Sequence, residues 1–372
     1  GRDEQSHSIR DERKYWLMKD IVLNKIPVLT WRWLKMNETA ISIPSETGSA
    51  NIKVLNENAN NELSSENIEK MNALPTGMGE TMSELMSENS EDIIINTLTG
   101  QVSKTHINIC RDKENLAKVR VYIYAAEGSD VSVWMDYSSN NENEGALAVQ
   151  TLVYAEKNAK VKLYQVGLQS DSDISLNDIG ANVDKDASFE LVQLLLGGKK
   201  LFAGARASLV GKRSEFISDL GYYGKAEDQI DLNYVADHIG KSTNSKMIAS
   251  GVLNDNSGKL LRGTIDFKRG AKDATGEESE DVLLLGQNIH NQSIPVILCA
   301  EEDVVGTHGA SIGNLDEEML FYLTSRGMDK ESVTKMVARA RIDAIGKKLE
   351  NVALEEKINV YLGGSEDEQE RI

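Results

Sequence analysis

Polar and apolar positions begin to alternate near residue 93. His106-Ile107-Asn108-Ile109 puts an apolar residue at every second place, and 93–96, 106–110 and 119–124 are rich in β-branched and aromatic residues. This is the pattern of half-buried strands. From Ala159 the alternation keeps a beat, in AKVKLYQV, ASFELVQL, SEFISDLGYY and DQIDLNYV. Strands are predicted to begin near Ala159, Ser172, Ala187, Lys200, Ser214, Asp228, Asn244, Lys259, Glu280 and Ser293, mostly 13–16 residues apart. Such a unit holds one strand and one turn, too little for a crossover helix. The Asn-Gly and Asp-Gly pairs that mark tight hairpins are absent. A stacked parallel β-helix with two strands per coil fits best: coils close one another's open faces, and only the ends need caps.

Helical patterns flank this region. Residues 56–92 combine helix formers with Pro75, Gly77 and Gly79, which predicts short helices around a loop. Upstream, Trp31 and Trp33 near Pro27 read as packing anchors. Beyond the apolar run 294–298, Asn314 is the expected N-cap, Glu317 its capping-box partner and Gly327 the stop. Asp329 then N-caps a second helix over 330–349, with Val333, Met336, Val337, Ala340, Ala344 and Ile345 on one face. A short segment, 352–362, follows, and the acidic end 363–372 is expected to fray. These helices are expected to cap the β-helix. Residues 1–17 are polar and patternless, with Met18 as a candidate natural start.

The fold class expected is mainly β. A right-handed parallel β-helix core spans 93–313, after an N-terminal mixed and helical region, 1–92, and before a C-terminal helical domain, 314–372.

Charge and cysteines narrow the function. A net charge of −18 over 372 residues argues against a nucleic-acid or anionic membrane surface. No apolar run approaches the roughly 20 residues needed to span a bilayer. Two cysteines, Cys110 and Cys299, make no disulfide framework and suit a reducing cytoplasm.

Nucleotide and hydrolase motifs fail on inspection. Gly240-Lys241-Ser242 looks like the end of a P-loop, but Val235 stands where the first glycine is required. Gly309-Ala310-Ser311-Ile312-Gly313 matches a nucleophile elbow, yet no histidine follows it. Its small residues are read instead as a tight strand-to-helix corner. Cys299, Glu301, Glu302, Asp303 and His308 form the one dense group of metal-binding types. Cysteine and histidine suit soft or borderline metals, while a lone cysteine ending an apolar strand is by default a core thiol. Both readings stay open here. The acid run Glu277, Glu278, Glu280 and Asp281 either stacks beside Cys299 at about 4.8 Å or forms a solvated corner. Cys110, His7, His106, His238 and His290 read as structural or surface residues.

Residues 293–328 resemble the SufB/SufD family, scaffold subunits of the Suf iron–sulfur cluster assembly machinery. The resemblance rests on Ala300-Glu301-Glu302-Asp303-Val304, His308-Gly309-Ala310-Ser311, Leu315-Asp316-Glu317-Glu318, Leu320-Phe321-Tyr322-Leu323 and Ser325-Arg326-Gly327. Upstream, Leu261-Arg262-Gly263-Thr264-Ile265, Lys268-Arg269-Gly270-Ala271, Asp281-Val282-Leu283-Leu284-Leu285 and Ile294-Pro295 extend it. It implies a parallel β-helix with a helical C-terminal domain that docks a SufC-like ABC ATPase. Phe321, Tyr322 and Arg326 are the partner-binding candidates. It also implies a non-enzymatic scaffold for a transient iron–sulfur cluster, paired with itself or with a second SufB/SufD-like subunit and fed by a sulfur donor protein. His308 falls on the family's cluster-assembly histidine. The chain departs from the family at Glu280, where SufB-type subunits place a cysteine, at Gly309, where they place a glutamate, and at Gly306, where some SufD-type subunits place a cysteine. Cys299 is then the candidate thiol ligand, with Glu280, Glu301 and Glu302 as holders of incoming iron. Two other functions are weighed beside the scaffold: a β-helix enzyme acting on polysaccharide, and an adaptor for the ATPase without a cluster.

Overall fold

A computed structural model describes residues 18–30, 32–113, 115–140 and 144–363. The expectations for residues 1–17, His7, Trp31 and residues 364–372 concern positions outside this set. β1 (Met18–Leu23) and β2 (Thr39–Pro44) form an antiparallel pair. β3 (Thr47–Gly48) and β4 (Ala50–Glu57) lead into the body. Two short helices, α1 (Ser65–Asn72) and α2 (Glu80–Ser87), bracket the predicted loop and precede β5 (Glu91–Thr97).

The chain then coils. The first strands are β6 (Val102–Arg111), β7 (Leu116–Ala125), β8 (Asp130–Ser139), β9 (Ala146–Ala155) and β10 (Lys160–Leu168). β11 (Ile174–Val183), β12 (Ser188–Leu195), β13 (Lys200–Leu209), β14 (Glu215–Gly224) and β15 (Gln229–His238) follow. The last are β16 (Asn244–Leu253), β17 (Gly258–Phe267), β18 (Ala274–Leu284), β19 (His290–Cys299) and β20 (Val304–Asn314). From β6 on, even strands pair in parallel with even ones and odd with odd, giving two facing sheets, and β4 joins the even sheet antiparallel to β6. This is the predicted parallel solenoid with two strands per coil. Alternate residues fill the space between the sheets, among them Val131, Val133, Val161, Leu163, Phe189, Leu191, Phe216, Ile230 and Leu232. Among the described residues no helix is long and apolar enough to cross a membrane.

The predicted strand starts from Ala159 to Lys259 fall within two residues of the observed ones. Three expectations near the end change. The strand placed at Glu280 begins at Ala274, because the acid run lies inside β18 rather than at a corner. Residues 304–314 form a full strand, so Gly309–Gly313 is edge strand and not a corner. The helix N-cap is therefore Asp316, whose carboxylate accepts from Glu318 N at 2.9 Å, and not Asn314.

The C-terminal helices also go elsewhere than predicted. α3 (Glu317–Ser325), α4 (Lys330–Gly346) and α5 (Val352–Tyr361) do not cover the open end. α4 folds back along the outer face of the even sheet against β12, β14 and β16, and α5 reaches β10. The reason is an apolar column on that face, Trp134, Tyr164, Val166, Val192 and Leu194, which meets Ile342, Ile345, Leu349, Leu354 and Ile358. Each such side chain gains roughly 1.5–3 kcal/mol by burial. Trp134 Nε1 adds a hydrogen bond to Leu349 O at 2.8 Å. Asp329 is the N-cap of α4 as predicted, through Ser332 N at 2.8 Å. Its buried face is Val333, Ala338, Ile342 and Ile345, whereas Met336 is exposed.

The N-terminal region is bolted to the odd sheet by charge. Arg262, fully buried, donates to Met36 O at 2.7 Å and to Asp231 Oδ1 at 2.5 Å. Asn24 Nδ2 reaches the same carboxylate at 2.7 Å. Breaking a buried pair of this kind costs several kcal/mol, since the other charge is left unpaired. Gly77 lies so flat on β13 that a Cβ there would sit 2.0 Å from Ala205 N. Trp33 is 74% exposed, so it is not the packing anchor expected.

Candidate functional site

Among the described residues, the last coil, β19 and β20, has no coil above it. Its strands pair only downward, with β17 and β18. In β17 the buried alternate positions are Leu261, Gly263, Ile265 and Phe267, and their partners are Ser293, Pro295, Ile297 and Cys299. In β18 they are Gly276, Glu278, Glu280 and Val282, partnered by Gly306, His308, Ala310 and Ile312. Side chains alternate faces along a strand, so Cys299 and His308 both stand on the inner face of the open coil. Cys299 sits above Phe267 and His308 above Glu278. Both are exposed, as no described residue covers the mouth.

Within one chain the two do not converge. Glu278 lies across the interior from Gly263, where a Cβ would meet its Oε1 at 1.8 Å. His308 is the register partner of Glu278, and Pro295 that of Gly263. Cys299 is four residues beyond Pro295, on the order of 13 Å along the strand. Gly306 keeps the mouth open between them: a Cβ there would lie 2.9 Å from Phe267 and 3.1 Å from Ile297. Among the described residues no three His, Cys, Asp or Glu form a group that could hold a metal ion.

The acids are divided by burial. Cys299 Sγ donates to Glu301 O at 3.0 Å. Glu301 accepts from Gly270 N at 2.9 Å and from Glu302 N at 3.2 Å. The hydrogen bond from Gly270 is the main reason its carboxyl is held below the usual range. Glu302 is exposed at the same corner. Glu280 is instead buried and fully engaged. Lys259 Nζ donates to its Oε1 at 2.5 Å, Tyr222 OH to the same oxygen at 3.0 Å, and Ser293 Oγ to Oε2 at 2.5 Å. The acid run lies beside His308 and not beside Cys299, because β18 belongs to the even sheet and Cys299 to the odd one.

Sequence reading missed what lies under the mouth. Lys259 is buried, and burial pushes its pKa down against the opposing pull of Glu280. Glu278 is buried, and one of its oxygens, Oε2, has no hydrogen-bond partner. Burial, and then the Glu280 charge, push it up to about 7. It borders a cavity of about 10 Å³ with Ser218, Tyr234, Met247 and Gly263, room for a single water. From Tyr234 a buried polar chain continues inward. Tyr234 OH donates to Gln193 Oε1 at 2.5 Å, Gln193 to Gln165 Oε1 at 2.8 Å, and Gln165 to Thr151 at 3.3 Å. The available signal was a polar residue at an inward place of an alternating run, as Gln165 is in KVKLYQV.

The partner-binding candidates lie on α3. It buries none of its residues, and Phe321 is 74% and Tyr322 55% exposed. The Arg326 guanidinium lies 5.1 Å from the Tyr322 ring centre, a cation–π contact.

Comparison with known proteins gives one family. Residues 108–341, more than half of the chain, match the family profile described as "SUF system FeS cluster assembly, SufBD core domain". The Bacillus subtilis iron–sulfur cluster assembly protein SufD is 26% identical over 219 residues, covering 58% of this chain and 50% of that protein. The Escherichia coli SufD protein is 22% identical over 256 residues, covering 68% of this chain and 60% of that protein. The chain thus spans between half and three fifths of these relatives.

Proposed function

The chain belongs to the SufBD family of SUF-system iron–sulfur cluster assembly proteins, and from that premise we propose that it is a non-enzymatic scaffold holding a nascent cluster at the open mouth of its solenoid. The observation that carries this is the exposed inner face of an uncovered terminal coil bearing both Cys299 and His308. The cluster is cargo. Cys299 binds it as thiolate and His308 through a neutral ring nitrogen. Mixed cysteine and histidine ligation is established chemistry for two-iron clusters. Because the two ligands are far apart in one chain, the complete set forms only when a second SufB/SufD-like subunit, the same or different, covers the mouth. The free edges of β19 and β20 suit that pairing. Glu301 and Glu302 offer hard oxygen ligands to incoming ferrous iron. Glu280, held by Lys259, is not free to do so.

In this reading a SufC-like ABC ATPase docks on α3 through Phe321, Tyr322 and Arg326, since exposed aromatic and arginine side chains make good interface anchors. Sulfur comes from a donor protein, and the assembly works in the cytoplasm, where thiols stay reduced. Anaerobic reconstitution of Cys299→Ser and His308→Ala tests the assignment. Each variant is expected to fold and pair normally yet lose bound iron and sulfide. Full loading of both would remove these residues from the site.

A further inference from the structure

The corner leading from each odd strand into the next even one repeats a single backbone hydrogen bond. Gly128 N donates to Lys157 O, Asn158 N to Lys185 O, Asp186 N to Lys212 O, Arg213 N to Lys241 O and Ser242 N to Lys272 O, at 2.7–3.0 Å. Five successive coils therefore stack lysine on lysine, and all five are exposed. The corner itself does not demand lysine. The coil before carries Glu127 at this place, whose carbonyl accepts from Gly100 N, and the coil after carries Asp303, whose carbonyl accepts from Asp273 N.

Nor do local ion pairs explain the stripe. Lys157 pairs with Glu127 at 2.6 Å. Among the described residues, Lys185, Lys212, Lys241 and Lys272 have no ion-pair partner within 4 Å. The nearby Asp186 is taken by Arg213, in two hydrogen bonds of 2.6 and 2.8 Å. Stacking like charges about 4.8 Å apart is unfavourable, and here it happens on a chain of net charge −18.

We propose that this lysine stripe docks an acidic helix of a partner protein. The spacing selects the helix: carboxylates at i, i+3 and i+4 lie about 5–6 Å apart on one face, near the coil repeat. Same-side residues of an extended strand lie farther apart, about 6.6–6.8 Å. Four coil spacings make about 19 Å, the length of roughly 13 helical residues. A nucleic acid fits worse. Its charge runs on past both ends of the stripe, onto Glu127 and Asp303 and the acidic remainder of the molecule. The stripe ends one coil below the mouth, at Lys272, whose charge acts on Glu301, while Lys157, Lys185, Lys212 and Lys241 lie on the coils beneath it; the proposal does not rest on the cluster site.

Fluorescence anisotropy on the full chain tests it. The probe is a labelled alanine-based helical peptide of about 16 residues with glutamates along one face. A peptide of the same composition with glutamates on all faces, and a thymidine oligonucleotide of similar length, are the controls. The one-face peptide is expected to bind at least about tenfold more tightly than the scattered one at low salt, and to weaken about tenfold by 0.2 M salt. Lys212→Gln, Lys241→Gln and Lys272→Gln together should remove that preference with an unchanged melting temperature, and the corresponding triple arginine variant should keep it. Equal binding of the two peptides, or no loss in the glutamine variant, overturns the proposal. Tighter binding of the oligonucleotide, lost with the same substitutions, overturns the class of partner.

Discussion

Burial leaves one oxygen of Glu278 without a partner, under His308 and two residues from an engaged Glu280. Its pKa, raised from 4.5 to about 7, lies above the unfolded value. The native chain therefore holds the extra proton between those pH values, and stability falls as pH rises through that window. Glu278→Gln removes the cost of ionising the buried carboxyl. Thermal or denaturant unfolding at pH 4 and pH 8 should show the variant gaining on the parent at the higher pH, by up to about 3 kcal/mol. A pH-independent difference would show that Glu278 is not held protonated. At the same scale, Arg262→Ala should be severely destabilising, by roughly 3–5 kcal/mol. It removes the counter-charge of buried Asp231, leaving it the neutral donors Asn24 and Thr39, and releases Met36 O, which joins the N-terminal hairpin to the body. Lys in its place would keep a charge but lose the forked geometry that reaches both.

Among the elements, β20 and the C-terminal helices carry the functional argument. β20 is exposed along nearly its whole length, with Val305 and Ile312 open to solvent. Such an edge is a template for pairing. Val305→Lys with Ile312→Lys should abolish self-association, or association with a second family member, in sedimentation experiments while leaving the melting temperature within a few degrees. Retained association would place the covering subunit elsewhere. The helices are part of the fold as well as the proposed docking surface. Deleting residues 314–372 would expose the apolar column from Trp134 to Leu194, so that truncation should yield an aggregating solenoid rather than a clean loss of docking. Phe321→Ala with Tyr322→Ala is the sharper change. α3 buries none of its residues, so stability should hold while co-purification with the ATPase falls. Undiminished co-purification would move the docking site off α3.

For the molecule as a whole, each coil rests on its neighbours, so protection should grade along the axis. Hydrogen exchange is expected to be slowest in β9–β15 and fastest in β20, and a covering partner should slow β19 and β20 first. The coils themselves were legible in the sequence. Strand alternation and turn spacing are local, and a stacked coil needs little else: register follows once each inward position is apolar. The family was legible too, since it is carried by runs of adjacent residues such as Ala300–Val304 and His308–Ser311. Three things were decided only by tertiary structure. Glu278 and Glu280 read as an acid run either stacked beside Cys299 or solvated at a corner, because nothing local says that Lys259, Tyr222 and Ser293 will meet Glu280 inside. The helices read as an end cap, because a helix's apolar stripe does not name the surface it will cover; they settle on the apolar column of the even sheet. Cys299 and His308 read as neighbours, nine residues apart. The corner at 300–303 sends them onto opposite sheets, and two strands facing each other set their separation by register rather than by distance along the chain.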